Sequence, residues 1–328
     1  MREGLFIKKN KERWERIQYE SAQDADGLAR DFTQLVDDLG YAKTFYPGSR
    51  VTRYINSLAS RMYLGIYQNR RENSSRLLRF FRYDVPLTVG RHHPVMLVSF
   101  VVFILFFSVG FFSSIHDDSF VRQVLGDGYV DMTEENIRAG NPFNVYADSN
   151  PFTMWLRIMI NNIMVSFSYF FKGILFGIPS ITSLAQESIR IGAFEHMFYA
   201  KGLGTQAVIT VLLHGMLELT AIIITCGAGV VMGTSYLFPG TGKRVDSLKR
   251  GAKDGVKIVV GLVPVFVVAA LIEGYITRHY KMPLYMSLPF LGACTFFVVW
   301  YFIILPYKLR KGQKAATGVP LFPEHAPI

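Results

Sequence analysis

"LLHGMLELTAIII", residues Leu212–Ile224, sets a histidine and a glutamate four residues apart inside an uncharged, apolar surrounding. The apolar run around it extends from about Thr205 to Leu237, long enough to cross a bilayer as a helix. Further runs read as spans at about Pro94–Ile115, Met154–Ile178, Val256–Ile276 and Leu284–Pro306. Half of the 328 residues are hydrophobic and only 18% are charged, against about 25% in soluble domains. The predicted class is all-α: a polytopic helical membrane protein with five to six transmembrane helices and a small N-terminal helical cytoplasmic domain.

The N-terminal residues 1–93 are strongly charged. Trp14, Ile17, Leu28, Phe32, Leu35 and Leu39 recur at helical spacing, and Gly40 with Pro47–Gly48 is expected to end that helix. A second helix reads over Val51–Tyr67. In "SSRLLRFFRYDVP", Arg76, Arg79 and Arg82 alternate with Leu77, Leu78, Phe80 and Phe81. That pattern suits a helix at a membrane surface, its arginines reaching headgroups, and equally an amphipathic helix packed on its neighbours. The apolar bundle is expected over 94–307. The tail 308–328, basic and then rich in proline and small residues, is expected to be disordered. No cleavable signal is expected, because the first apolar run begins so far from Met1.

Orientation follows from Lys and Arg beside the spans. Seventeen precede the first span, whereas 116–153 carries only Arg122 and Arg138 beside seven acidic residues. The segment 236–257 carries six basic residues, and Lys308, Arg310, Lys311 and Lys314 follow the last span. The N-terminus, 236–257 and the tail therefore all favour the cytoplasm. Five spans cannot satisfy all three. A sixth crossing through the semi-polar stretch Pro179–Leu203, with Glu187, Arg190 and Glu195, can; a re-entrant dip there cannot. The excess charge of +10 is read as cytoplasmic loops and contact with an anionic lipid bilayer, and nucleic acid is not an expected partner.

His214 and Glu218 share one helix face. Glu273, in "AALIEGYIT", is expected at similar depth on the next, antiparallel span, with Asn161 and Asn162 on the second. Three readings compete: a hydrogen-bonded cluster that fixes helix register with one or both glutamates protonated, a proton or substrate path, and a metal hydrolase. The last is the weakest, because His-x-x-x-Glu supplies no second histidine and no separate general base. No catalytic residue, metal or cofactor is expected. There is no nucleophile elbow, Walker loop or dinucleotide fingerprint, and "FPGTGKR" at 238–244 lacks the spacing of a phosphate loop. Gly173 and Gly177, then Gly229 and Gly233, have the small-xxx-small spacing of close helix packing, with Gly227 beside them. Cys226 and Cys294 lie in apolar runs and make no disulfide framework.

"HGMLELTAIIITCGAGVVMG" (His214–Gly233), "INNI" around Asn161 and Asn162, Gly173 with Gly177, and "IEGYIT" with Glu273 and Thr277 together resemble the stage II sporulation protein M family. The N-terminal portion from Trp14 is similar to the helical extension of long family members outside spore formers. The resemblance implies a non-enzymatic component of a membrane complex, in the bacterial cytoplasmic membrane, whose partners are other membrane or envelope proteins. One departure falls at "ESIRIGAFEHMF" around Gly192, where relatives often carry another small or Asn-Gly feature; it leaves the shape of 179–204 open.

Overall fold

The computed structural model describes residues 2–19, 25–68, 75–143, 150–277 and 282–317. Every regular element among them is helical, and the chain divides into two compact units, Met1–Arg76 and Leu77–Ile328.

The first unit is built from α1 (Glu3–Tyr19), α2 (Ala25–Phe45) and α3 (Arg50–Gln68). Phe6, Asn10, Trp14 and Ile17 fall on one stripe of α1 and are all buried. They meet Leu35, Ala42, Ile55 and Leu58. Burial of Phe6 and Trp14, 4% and 2% exposed, contributes about 2–3 kcal/mol each. Trp14 keeps its polar edge satisfied: Nε1 donates to Asp38 at 2.8 Å, the carboxylate that also pairs with Arg13. The expected stop at Gly40 does not occur. Glycine costs a helix interior about 1 kcal/mol relative to alanine, and the buried Ala42 with the stacked Phe6–Tyr41 pair outweighs it. The chain turns instead at Pro47–Gly48, where Gly48 takes φ 80°, and Ser49 Oγ caps α3 by accepting from Thr52 N–H.

The second unit begins within α4 (Ser75–Arg79), which passes through a wide π-type turn at Phe80–Asp84 into α5 (Val85–Arg91). Arg79 and Arg82 are exposed, as are Leu77 and Leu78. Then come α6 (His93–His116), α7 (Asp118–Leu125), α8 (Asp127–Arg138), α9 (Pro151–Lys172), α10 (Ile178–Ala200) and α11 (Gly204–Leu237). α12 (Arg244–Leu271) runs on through a π-type turn at Ile272–Ile276, and α13 (Leu284–Val299) through another at Trp300–Ile304 into α14 (Leu305–Thr317). Residues 308–317 are therefore helical, while 318–328 lie outside the described residues.

Four of these helices are long and apolar enough to cross a membrane: His93–His116, Gly204–Leu237, Arg244–Ile276 and Leu284–Gly312. α6 leaves Leu97, Val98, Phe100, Val101 and Leu105 exposed. A soluble chain rarely presents so large an apolar face, and lipid is the solvent that suits it. α9 and α10 fall outside that set; they carry Arg157, Lys172, Glu187, Arg190 and Glu195.

Two boundaries differ from the sequence reading. The expected second span to Ile178 ends at Lys172, and residues 173–177 form a turn with φ 60° at Phe176 and 81° at Gly177. The basic stretch 236–257 is mostly helix, since α12 starts at Arg244 and only 238–243 link it to α11. Six basic residues there are compatible with a helix whose outer face is solvated.

Helix directions follow from particular contacts. Gly227 of α11 faces Met96 and Ser99 of α6, and Gly229 faces Ser180 of α10. Farther along, Phe111 packs on His196 and Tyr199. α6 and α10 thus run parallel, both antiparallel to α11. α9 runs parallel to α11: Ser166 and Thr225 share a buried hydrogen bond of 2.9 Å, and Gly173 meets Gly229. At the bundle end that holds the start of α6, Arg91 bonds Asp254 at 2.7 Å and His93 bonds the Phe302 carbonyl at 2.7 Å. That end gathers Lys172, the basic start of α12 and the basic end of α13–α14.

Candidate functional site

At the other end, α9, α11 and α12 converge on a polar group. α11 and α12 keep one antiparallel register along their length. Gly251 packs on Ser235, Gly255 on the Ala228 carbonyl, and His214 comes opposite Glu273. One ligand-type atom from each of His214, Glu218 and Glu273 lies within 4.8 Å of the others. Glu273 is carried on the π-type turn Ile272–Ile276. Such a turn inserts one residue into the helix and re-aims the side chains after it. Trp155 packs directly on Gly274, and its Nε1 donates to the Val267 carbonyl at 3.3 Å, which holds α9 against that turn.

Thr277 closes the group. Its hydroxyl donates to the Ile272 carbonyl at 3.4 Å and lies 3.2 Å from His214 Nδ1. A hydroxyl has one proton, so when it donates to Ile272 it accepts from the ring, and Nδ1 carries the imidazole proton.

Asn162 is 6% exposed, and its side-chain amide, a donor, lies beside the Glu218 carboxyl, an acceptor. Asn161, one residue earlier, faces outward and only reaches Asn162 at 3.4 Å; it does not join His214.

A cavity of about 290 Å³ opens against His214 and Glu218. α7 and α8 contribute Leu125 and Tyr129 to its wall, and α10 contributes Glu187, Arg190 and Phe194. Glu187 and Arg190 pair at 2.5 Å. Burial pushes the Tyr129 phenol above its ordinary range. The α7–α8 cover is fixed by Val121, Val130 and Phe143 packing on Met197 and Phe198, and by Lys201 bonding Glu134 at 3.0 Å. The sequence reading noted Glu187 and Arg190 only as too polar for lipid. Their i,i+3 opposite-charge spacing was the signal that could have attached them to the site.

The five glycines do different work at the opposite end. Gly173 lies against the backbone of Gly229, and Gly233 against the backbone of Gly173, Phe176 and Gly177. Gly177 abuts Val230, and Gly227 abuts Met96 and Ser99. In four of these five a Cβ would collide with neighbouring atoms at under 3.0 Å; at Gly177 it would meet Val230 at 3.1 Å on a backbone with φ 81°. Arg79 and Arg82 are exposed, and Arg76 is the last residue of the other unit.

An all-helical fold, four helices fit to cross a membrane and a buried His/Glu group define a helical membrane protein. A family model described as Stage II sporulation protein M matches residues 99–278, more than half of the 328-residue chain. The chain belongs to that family. Residues 4–68 match a second model, Domain of unknown function (DUF8413). Neither the curated proteins nor the solved structures contain a match.

Proposed function

We propose that the protein is a non-enzymatic, multi-pass component of an envelope-associated complex, seated in the cytoplasmic membrane with its N-terminus inside. The observation that carries this reading is the pairing of a separate, charged helical unit, Met1–Arg76, with an apolar bundle closed by glycine contacts. The unit supplies a docking surface, with other envelope proteins as its partners; the bundle supplies a fixed mount.

Six crossings fit this reading. α9 and α10 have 22 and 23 residues, about 33–35 Å of helix against a hydrocarbon core of about 30 Å. Because α6 and α10 run parallel with α9 between them, α10 returns the chain as a crossing helix does. Two of its polar residues, Glu195 and His196, are buried, as membrane depth demands, and the exposed Arg190 is paired with Glu187. Six crossings also bring 238–257, the end of α13–α14 and the start of α6 to one side, in keeping with their positive charge.

Cysteine accessibility tests the topology. In a Cys226→Ser/Cys294→Ser background, single cysteines replace the exposed Thr241, Lys311 and Glu135. Thr241→Cys and Lys311→Cys label only after permeabilisation, and Glu135→Cys labels in intact spheroplasts. Labelling of all three from outside would remove the sixth crossing. Blue-native electrophoresis of gently solubilised membranes tests the complex. The chain should migrate in an assembly well above its own 37.2 kDa, retained in Glu218→Gln; migration as a lone chain would defeat the scaffold reading.

A further inference from the structure

We infer that Arg310, with Arg91 beside it, binds the phosphate group of an anionic phospholipid at the bundle end where α14 packs on α5. This goes beyond the scaffold reading. It depends neither on that reading nor on which side of the membrane this end faces.

A close helix contact sets the seat. Pro306 of α14 lies directly on Gly90 of α5, where an added Cβ would stand 2.7 Å from the proline Cβ. Arg310 follows Pro306 by four residues and shares its helix face, which turns the guanidinium toward α5. Its Nε comes 3.6 Å from the place a Gly90 Cβ would take. That nitrogen is buried and bonds no acceptor among the described residues. The Arg310 side chain makes no ion pair among them either.

The carboxylate at this end is already taken. Asp254 accepts from Arg91 at 2.7 Å and meets His92 at 3.1 Å, both through Oδ2. The charged neighbour whose field reaches Arg310 is Arg91. Two guanidinium groups against one carboxylate leave an excess of positive charge where water is partly excluded, and like charges repel most strongly there. A phosphate answers both needs. It carries the missing negative charge, and its oxygens match the forked N–H groups of arginine.

The surroundings select lipid as the source of that phosphate. The turns before Arg310 expose Trp300, Ile303, Ile304 and Tyr307. Trp and Tyr at the edge of an apolar stretch mark headgroup level, so Arg310, three residues past Tyr307, comes level with lipid phosphates while the isoleucines face acyl chains. Lys308 and Lys311 are exposed beside it and add to the positive field. Basic pockets between membrane helices take anionic headgroups in this way. A zwitterionic headgroup would bring an ammonium of its own into that field and is disfavoured.

Native mass spectrometry of the full-length protein, delipidated in mild detergent, tests this with dioleoyl phosphatidylglycerol as the probe. Wild-type protein should take up one such lipid about tenfold more tightly than dioleoyl phosphatidylethanolamine. Arg310→Gln should erase that preference, whereas Lys308→Gln with Lys311→Gln, which removes exposed charge but not the seat, should keep most of it. Arg310→Lys keeps the charge and loses the fork; it should weaken the preference too, and it decides if Arg310→Gln fails to fold. Equal uptake of both lipids by wild type, or a preference that survives at Arg310→Gln, overturns the proposal. A preference lost equally in the double lysine variant overturns it as well, in favour of diffuse surface charge. Displacement of the bound lipid by inorganic phosphate would do the same, since the seat would then be one for free phosphate.

Discussion

The two ends of α11 show what one helix can be asked to do. Around Gly229 and Gly233 it lies against the α9–α10 turn with backbone touching backbone, and Ser180 beside it bonds the Tyr169 carbonyl at 2.6 Å. Around His214 and Glu218 the same helix carries ionisable side chains, His214 bonded to Thr277, and borders a cavity. Without a hydrophobic drive between helices in lipid, close packing and hydrogen bonds hold the bundle. The glycine end provides that hold, which lets the polar end remain open at the expense of local stability.

The largest effect should come from closing that gap in roles. Gly229→Leu drives a side chain into the Tyr169 and Phe170 carbonyls and Ser180, where backbone cannot yield. A loss of about 3 kcal/mol or more is expected, seen as collapse of the monodisperse size-exclusion peak in mild detergent. A monodisperse, thermally unchanged variant would show that the glycine contact is dispensable. Between the two ends, Thr225→Val removes one half of the Ser166 hydrogen bond and leaves Ser166, 2% exposed, without that partner. Thermal unfolding should report about 1–2 kcal/mol.

At the polar end, Glu218→Gln keeps shape and polarity and should alter stability by less than about 1 kcal/mol; unfolding of the variant would reverse the assignment of which end holds the bundle. The smallest effect belongs to the cover. The Lys201 ammonium beside Glu134 holds its carboxyl below the ordinary 4.5. Its contribution is present above that value and is lost as pH falls through the lowered one. The pair lies at the surface, with Lys201 43% and Glu134 25% exposed, so screening keeps the gain small. Glu134→Gln should lower the melting temperature slightly at pH 7 and not at all well below pH 4, as pH-dependent scanning fluorimetry would show.

Much of this was legible in residue order. Apolar runs located α6, α11, α12 and α13 to within a few residues, apart from the start of α12, because lipid demands an unbroken stretch of that length. The glycine spacing named the residues that do meet. The His/Glu pair was legible because charge inside an apolar run is conspicuous. What order could not carry was the rest of the site. The π-type turn under Glu273 has no compositional mark. That Asn162 rather than Asn161 faces the group depends on the rotation of α9, which Ser166 and the glycines fix. Glu187 and Arg190 read as obstacles to a span until the cavity gave them a wall to line. The stop expected at Gly40 failed for a related reason: tertiary packing of Tyr41 and Ala42 overrides a local preference.

The hydrogen bond from Tyr301 to the Phe81 carbonyl at 2.6 Å joins residues 220 positions apart, and Arg91 waits 163 residues for Asp254. Translation at about 5–20 residues per second puts on the order of 10–40 s between the emergence of Phe81 and that of Tyr301. For that interval α5 and the start of α6 are made but lack their final neighbours. The start of the earliest apolar helix is thus among the last parts to be secured, although its later turns meet α10 sooner, and during biogenesis a lipid or insertase surface would shelter it.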